Sequence, residues 1–562
     1  MTTPLHTRRT VLAGTGAAVG ATSLGVLGAV PADARRGGKA AAGDRDVFAH
    51  GVASGDPEPT GVVLWTRVTP TPEATPGSGR GPRVTVRWEV ARDADFRDVV
   101  RSGSFQTSPG RDHTVKVDAQ GLAPDSWYFF RFHLRDATSR VGRTRTAPAA
   151  GATPDNLRVG VVSCSHFEAG HFAAYGHLAR RDDLDAVLHL GDYLYEYAAN
   201  EKAVRQHFPD REIVALADYR QRHAQYKTDP HLQDLHARLP FVTIWDDHEV
   251  TNDSYEDGAE NHQPDTEGDY LRRRARAHRA YDEWMPVRLD GTARLGDGTR
   301  LFRRVRWGTL AELTMLDLRT YRDRMVETAA PFPLPQLQTE ADDEDRTITG
   351  DEQMAWLKES LASSASQWKL VGNSVMIAPL STAQLPEETV TVIHQVTGES
   401  PRDGVPINVD QWDGYTADRR ELFDHIASTG ITDTVFLTGD IHSGWACDLP
   451  LDTGAYPIGG TAGVEFVCTS VTSSNIDDIT GAPPRTATRA IEATLMANNR
   501  HIKHINFDDH GYSVLDVTPE RAQMDWFVLA DKTDPDSAAA WETSWATATG
   551  SGSVARADGP VG

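Results

Sequence analysis

Four short apolar runs in this chain each stop at a cluster of metal-binding side chains. A chain written that way is committed to a layered α/β fold with a site at one end of its sheet. The runs are Arg158-Val-Gly-Val-Val-Ser-Cys164, Asp185-Ala-Val-Leu-His-Leu-Gly-Asp192, Phe241-Val-Thr-Ile-Trp-Asp-Asp-His248 and Val435-Phe-Leu-Thr-Gly-Asp440-Ile-His442. Parallel strands are covered on both faces, so they read as continuous apolar runs rather than alternating ones. Open α/β sheets hold their ligands beyond the carboxyl ends of the strands, so four such endings can converge on one site. A thiol, carboxylates, imidazoles and a nearby phenol together indicate metal.

The chain has 562 residues, more than one core usually organises, which predicts two domains plus processed or inserted segments. Asp and Glu number 80 against 57 Lys and Arg, a formal charge of -23. That charge repels nucleic acid and anionic membranes, so no nucleic-acid partner is expected. An anionic substrate then needs a local positive centre, which a multivalent cation supplies. The stretch Thr7-Arg8-Arg9-Thr10-Val11-Leu12, with the Gly- and Ala-rich run to Val30 and Ala32-Asp33-Ala34, resembles a twin-arginine export signal over residues 1–34. It implies the twin-arginine translocase as a partner and a secreted mature protein. No later segment has the roughly 20 apolar residues of a membrane span. Three cysteines make no disulfide framework; Cys447 and Cys468 either pair or are small buried hydrophobes.

Residues 45–147 carry short alternating runs such as Val84-Thr-Val-Arg-Trp-Glu-Val90 and Trp127-Tyr-Phe-Phe-Arg-Phe132, separated by Gly, Pro and Asp. That pattern predicts a β-sandwich. Within it, Gly121-Leu-Ala-Pro-Asp-Ser-Trp-Tyr128 resembles a strand corner of fibronectin type III domains. After a linker, residues 155–530 form the second domain. Helices are expected at Gly170 to Arg181, Glu201 to Arg238 and Tyr270 to Met285, with Arg272, Arg273, Arg274 and Arg276 on a solvated face. The tail, 531–562, is rich in Ala, Ser, Thr and Gly and reads as a short helix with a frayed end.

At the strand ends, Gly191 allows a tight turn, Asp192 offers two oxygens that can bridge two cations, and Tyr195 lies one turn on if a helix begins there. The competing reading is a strand-to-helix turn with a capping Asp and a core Tyr. Adjacent Asp246 and Asp247 with His248 are costly to bury without a positive partner. Asp247 and Asn252 are assigned as calcium ligands and His248 as a group facing substrate, able to protonate a leaving oxygen. Asp246 and Glu249 are expected to orient their neighbours. Asp440 and His442 fall on one side of an extended stretch.

These endings resemble the metallophosphoesterase superfamily. Cys164 in place of the usual first Asp, the Trp245-Asp246-Asp247-His248-Glu249 segment, Phe48-Ala-His-Gly-Val-Ala-Ser-Gly-Asp-Pro57 and His510-Gly-Tyr512 look like the PhoD family of alkaline phosphatases and phosphodiesterases. The resemblance implies an α/β fold, a metallophosphoesterase-like αββα sandwich preceded by a fibronectin/immunoglobulin-like β-sandwich. It implies ferric iron, Fe(3+), held by Cys164, Asp192, Tyr195 and His442. It further implies calcium, Ca(2+), held by Asp192, Asp247, Asn252 and Asp440. Asn373 stands roughly where the superfamily has a further histidine and is not taken as a ligand. The chemistry to expect is metal-assisted hydrolysis of a phosphate ester by metal-bound hydroxide, with Asp192 and His248 as the catalytic pair. A phospholipase D-type action on phospholipids competes with it, with Trp412, Tyr415, Trp445, Trp541 and Trp545 as candidates for an apolar approach. An exported β-sandwich binding protein is the non-enzyme alternative.

Overall fold

The computed structural model describes residues 47–289, 300–326, 340–382, 384–397 and 403–561; the export signal lies outside them. Two sheets pack face to face. The first contains the parallel strands Leu157–Val162, Ala186–Leu190 and Pro240–Ile244 side by side. The second contains Ala311–Met315, Trp368–Asn373, Thr434–Thr438 and Thr461–Val467, also parallel neighbours. Every residue of the Ala186–Leu190, Pro240–Ile244 and Thr434–Thr438 strands is buried, as apolar runs covered on both faces require. One continuous core joins Val161, Leu188 and Val242 of the first sheet to Leu313, Leu437 and Phe466 of the second. Helices Ala173–Ala179, Pro230–Arg238 and Tyr270–Trp284 cover the outer face of the first sheet. Helices Asp351–Ser363 and Thr416–Thr429 cover the second. The architecture is the expected αββα sandwich.

The N-terminal β-sandwich is built differently from a bead on a string. Its five-stranded sheet packs Val86, Val90, Phe130 and Phe132 against Val62, Leu64 and Val115. Those last residues sit on strands that continue the central sheet. Val52–Glu58 pairs in parallel with Pro240–Ile244, and Gly61–Arg67 and Thr114–Gln120 follow outward. The sandwich thus shares one of its two layers with the second domain.

Three expectations need correction. The tail is not a helix: Ala539–Ala548 and Val554–Arg556 are strands, the first pairing with Arg521–Leu529. Its Thr and Trp residues suit a pleated surface, and the free edge of Arg521–Leu529 is satisfied by taking a further strand. Glu201 to Leu216 is mostly turns; helices there begin at Leu216–Tyr226. Arg273 is not on a solvated face but fully buried, with Nη2 2.7 Å from Glu212 and Nη1 3.0 Å from Glu267. Cys164, Cys447 and Cys468 are free and buried, so the unpaired alternative holds.

Lys227 is buried at the seam between the N-terminal strands and the central sheet. Its Nζ lies 3.0 Å from the Tyr193 hydroxyl, 3.2 Å from His236 Nε2 and 4.7 Å from the Trp65 ring centroid. Burial pushes its pKa down to about 7 from 10.5. Between those values the unfolded chain holds a proton that the folded chain sheds, so stability climbs with pH there and the full penalty stands below about 7. Lys227→Met should therefore raise Tm at pH 7, by about 1 to 4 kcal/mol in stability, and the gain should vanish near pH 10. Thermal unfolding at both values checks it.

Candidate metal centre

The site is made where the two sheets approach at the carboxyl ends of their parallel strands. Two glycines permit the close packing. Between the sheets, a Cβ on Gly439 would lie 2.7 Å from Ser163 Oγ; within the first sheet, one on Gly191 would lie 2.5 Å from the Asp246 side chain, so the neighbouring strand ends can close up. Gly191 also turns with φ of 102°. The backbone then bends at the candidate ligands themselves. Cys164, Asp192, Asp440 and His442 have φ of 57°, 54°, 59° and 54°, a left-handed region that non-glycine residues rarely occupy and that clusters at functional sites. The turns are interlocked: the Cys164 amide donates to Gly191 O and the Ser165 amide to Asp192 O.

Three ligand groups overlap. Cys164, Asp192 and His442 each offer an atom within 4.8 Å of the others; so do Asp192, Asp247 and His248, and so do Asp246, Asp247 and Asp440. Asp192 belongs to the first two and Asp247 to the last two. Tyr195 joins the first group, its hydroxyl donating to Asp192 Oδ2 at 2.9 Å and lying 3.3 Å from His442 Nε2. No helix follows Asp192; the turn through Tyr195 is held instead by Glu249, whose carboxylate accepts the amides of Asp192, Tyr193 and Asp246. Asn252 stands at the edge, its Oδ1 accepting from the Tyr197 hydroxyl at 3.2 Å and its Nδ2 donating to Glu260. Asn373 is turned away, its side-chain amide bonded to Val375 O and Thr438 Oγ1 while its Oδ1 takes the Trp412 indole.

The donor set fits cations. Among the described residues, Asp192 Oδ1 and Asp247 Oδ1 are buried with no hydrogen-bond partner, a state that is expensive for a carboxylate oxygen unless a cation meets it. Burial, with Asp247 and Asp246 nearby, pushes the Asp192 pKa well up. Burial and Asp246 do the same to Asp440, and burial and Asp192 raise both the Cys164 thiol and the Tyr195 phenol. Four acids that resist ionisation together are what a missing positive charge produces.

The sequence reading missed the charges that hold this cluster. Arg319 is buried, forks onto Asp246 with Nε 2.7 Å from Oδ1 and Nη2 2.9 Å from Oδ2, and reaches Asp410 at 3.1 Å and Asp440 at 3.4 Å. Arg322 takes Asp410 Oδ1 at 2.6 Å. Both follow the Ala311–Met315 strand in Leu316-Asp-Leu-Arg-Thr-Tyr-Arg322, a fifth buried strand ending at the site, whose apolar run is broken by Glu312 and Thr314. Glu196 was missed as well; its Oε2 lies 2.7 Å from His248 Nδ1, leaving Nε2 of that ring for the Asp192 and Asp247 group. The His166 ring stacks on Tyr195 with centroids 4.5 Å apart.

Against the desolvation that opposes it, Asp247 and Glu196 raise the His248 pKa well above the usual value. A histidine so raised keeps its proton through neutral pH and loses it only as pH climbs through the raised value. Glu196→Gln should move the alkaline limb of the rate profile to lower pH by about one unit or more. A pH series of kcat/KM on the variant measures this.

A family model described as PhoD-like phosphatase matches residues 159–526, and one described as PhoD-like phosphatase, N-terminal domain, matches 32–148. Alkaline phosphatase D of Bacillus subtilis (strain 168) is 37% identical over 503 residues, covering 89% of this chain and 80% of the relative. A solved structure described as "Structure of PhoD" superposes with a TM-score of 0.79 at 34% identity, covering 92% of each chain. With both of its layers matched, and with Cys164, Asp192 and the Asp246 to Glu249 turn gathered at one end of them, this chain belongs to the PhoD-like phosphatase family.

Proposed function

We propose that this chain is an exported alkaline phosphatase with phosphodiesterase activity, hydrolysing phosphate esters at an iron and calcium centre. Membership of the family makes it a phosphoric ester hydrolase. The observation that carries the finer reading is the pair of unpartnered buried oxygens, Asp192 Oδ1 and Asp247 Oδ1, on the two residues that each belong to two ligand groups. Cys164, Asp192, Tyr195 and His442 would hold ferric iron, because a phenolate with carboxylate and thiolate suits a trivalent ion. Asp192, Asp247, Asn252 and Asp440 would hold calcium, since oxygen donors suit that hard cation. When bound, such cations neutralise phosphoryl oxygens and lower the pKa of water from about 15.7 to about 7.

The chain's own groups do the rest. Glu249 fixes the Asp192 turn through three amides, so the bridging carboxylate is aimed before substrate arrives. Arg319 keeps Asp246 and Asp440 apart from the substrate's own charge. His248, charged and held by Glu196 at Nδ1, donates from Nε2 to the departing alkoxide. Twin-arginine export rests on Thr7-Arg8-Arg9 and the apolar run after it. For the phospholipid reading, Trp412, Tyr415 and Trp445 are wholly buried and form core rather than an approach, while Trp541 is exposed and Trp545 half-buried.

Elemental analysis beside visible spectroscopy tests the centre. One iron with calcium, and a phenolate-to-iron band that Tyr195→Phe abolishes, is the expected result. Zinc alone would remove the iron assignment, and a band unchanged in Tyr195→Phe would remove Tyr195. Turnover of a phosphomonoester and a phosphodiester under matched conditions sets the preference.

A further inference from the structure

A cavity of about 590 Å³ opens at the seam between the N-terminal sandwich and the two helices Ala173–Ala179 and Pro230–Arg238. That volume lies in the range of ligand pockets. It is remote from the metal centre. Helix Ala173–Ala179 runs from the carboxyl end of the Leu157–Val162 strand back to the amino end of Ala186–Leu190, and Pro230–Arg238 leads into the amino end of Pro240–Ile244. The cavity wall formed by Arg180, Asp182 and Arg238 is therefore at the amino ends of the strands, whereas the ligand groups are at the carboxyl ends. Strands of this length separate the two by about 16 to 20 Å.

Its charge is the reverse of the molecule's. Arg140, Arg143, Arg180 and Arg238 line it against only Asp182 and Asp234, on a chain with a formal charge of -23. Arg140 is paired with Asp234 at 2.7 Å, and Arg238 with Asp182. Among the described residues, Arg143 and Arg180 have no carboxylate within salt-bridge distance. The Arg143 guanidinium carbon lies 3.5 Å from the Trp127 ring centroid, a contact that restrains the side chain at the cavity wall. Burial, and then the neighbouring Arg238, press its pKa down, with Asp182 opposing them. Two arginines without a salt-bridge partner among the described residues, lining one cavity, suit an oxyanion, since each guanidinium offers a planar fork of donors.

We propose that this cavity is a second phosphate-binding site, in which Arg143 and Arg180 hold a phosphate group away from the metal centre. The group is either free orthophosphate, the product of the proposed reaction, or one phosphate of a longer polyanion. Only the choice of source rests on the proposed function; the cavity and its charge do not.

The test is calorimetric titration of the full metal-loaded protein and of Arg143→Gln/Arg180→Gln with two probes, orthophosphate and linear polyphosphate. Two orthophosphates per wild-type chain, one of them weakened about tenfold or more in the double variant, supports a site for the free ion. Polyphosphate binding weakened by that factor, with orthophosphate binding unchanged, supports a site for a chain. Equal binding of both probes to both proteins overturns the proposal. Turnover of a small phosphomonoester should be the same in both proteins, since neither arginine touches the metal centre. An inactive enzyme that still loses the second site in the variant would count against the proposed function alone. Should the double variant unfold, Arg180→Gln, whose side chain is exposed, carries the same comparison.

Discussion

Asp192→Asn is expected to give an intact protein, more heat-resistant than the parent when metal-free, with almost no turnover. The side chain is buried, its backbone sits at φ of 54°, and the turn around it is held by Glu249 through backbone amides that the substitution does not touch. Asparagine keeps the volume and an oxygen for the Tyr195 hydroxyl. It removes the one charge shared by the Cys164 and Asp247 groups. Loss of a charge on which two cation sites depend should lower kcat about 10³-fold or more and reduce metal content with it. The stability effect has the opposite sign. Asp192 has a folded pKa above its unfolded value, so its ionised form destabilises the metal-free fold at neutral pH, and that penalty is relieved as pH falls. Assay, elemental content and thermal unfolding in chelator check the three parts; turnover within tenfold of the parent would remove Asp192 from the centre.

Arg319→Met pushes the other way. Arg319 is the counterion of Asp246, Asp410 and Asp440 and lies 3.9 Å from Asp247 Oδ2. Without it, four carboxylates face one another in a water-poor space. Breaking a buried pair from one side costs about 3 to 5 kcal/mol. The expected result is a markedly lower Tm in chelator, with much of the loss recovered on adding calcium, because a divalent ion can take over the neutralisation. A Tm within a degree of the parent in chelator would mean that the acids are held apart by something other than Arg319.

What the sequence displayed and what it hid have physical causes. The four strand ends were legible because strands buried on both faces are mostly apolar, with only a few polar residues such as His189 and Thr243 inside them, so clusters of ligands at their ends stand out. Arg319 was hidden because its strand, Ala311–Met315, is broken by Glu312 and Thr314, and because a search for metal donors passes over guanidinium, which can only be their counterion. Glu196 and Asp410 act through contacts 52 and 91 positions away in sequence, which no local pattern announces. The N-terminal runs displayed strands but not their partners, since alternation looks alike in a free sandwich and in one that borrows a layer. In the tail, Trp541 and Trp545 stand at a spacing that suits a helix face. The open edge of Arg521–Leu529 decides otherwise, pairing Trp545 opposite Met524.

The sheet that carries Cys164 is closed from both ends of the chain. On one side the Leu157–Val162 strand meets Ala186–Leu190 soon after it is made; on the other it pairs with Gly511–Val517, and Arg158 bonds Asp516, 358 positions later. A ribosome that has delivered the first three ligand-bearing runs has therefore delivered a half-zipped layer with a bare edge. Closure waits for the strand that carries Asp516, 358 positions after Arg158, and contacts that distant slow folding and expose the unfinished sheet to mispairing. Until that strand arrives the turn that carries Cys164 rests on an unfinished sheet, so a nascent chain of this protein is most exposed just before this layer closes.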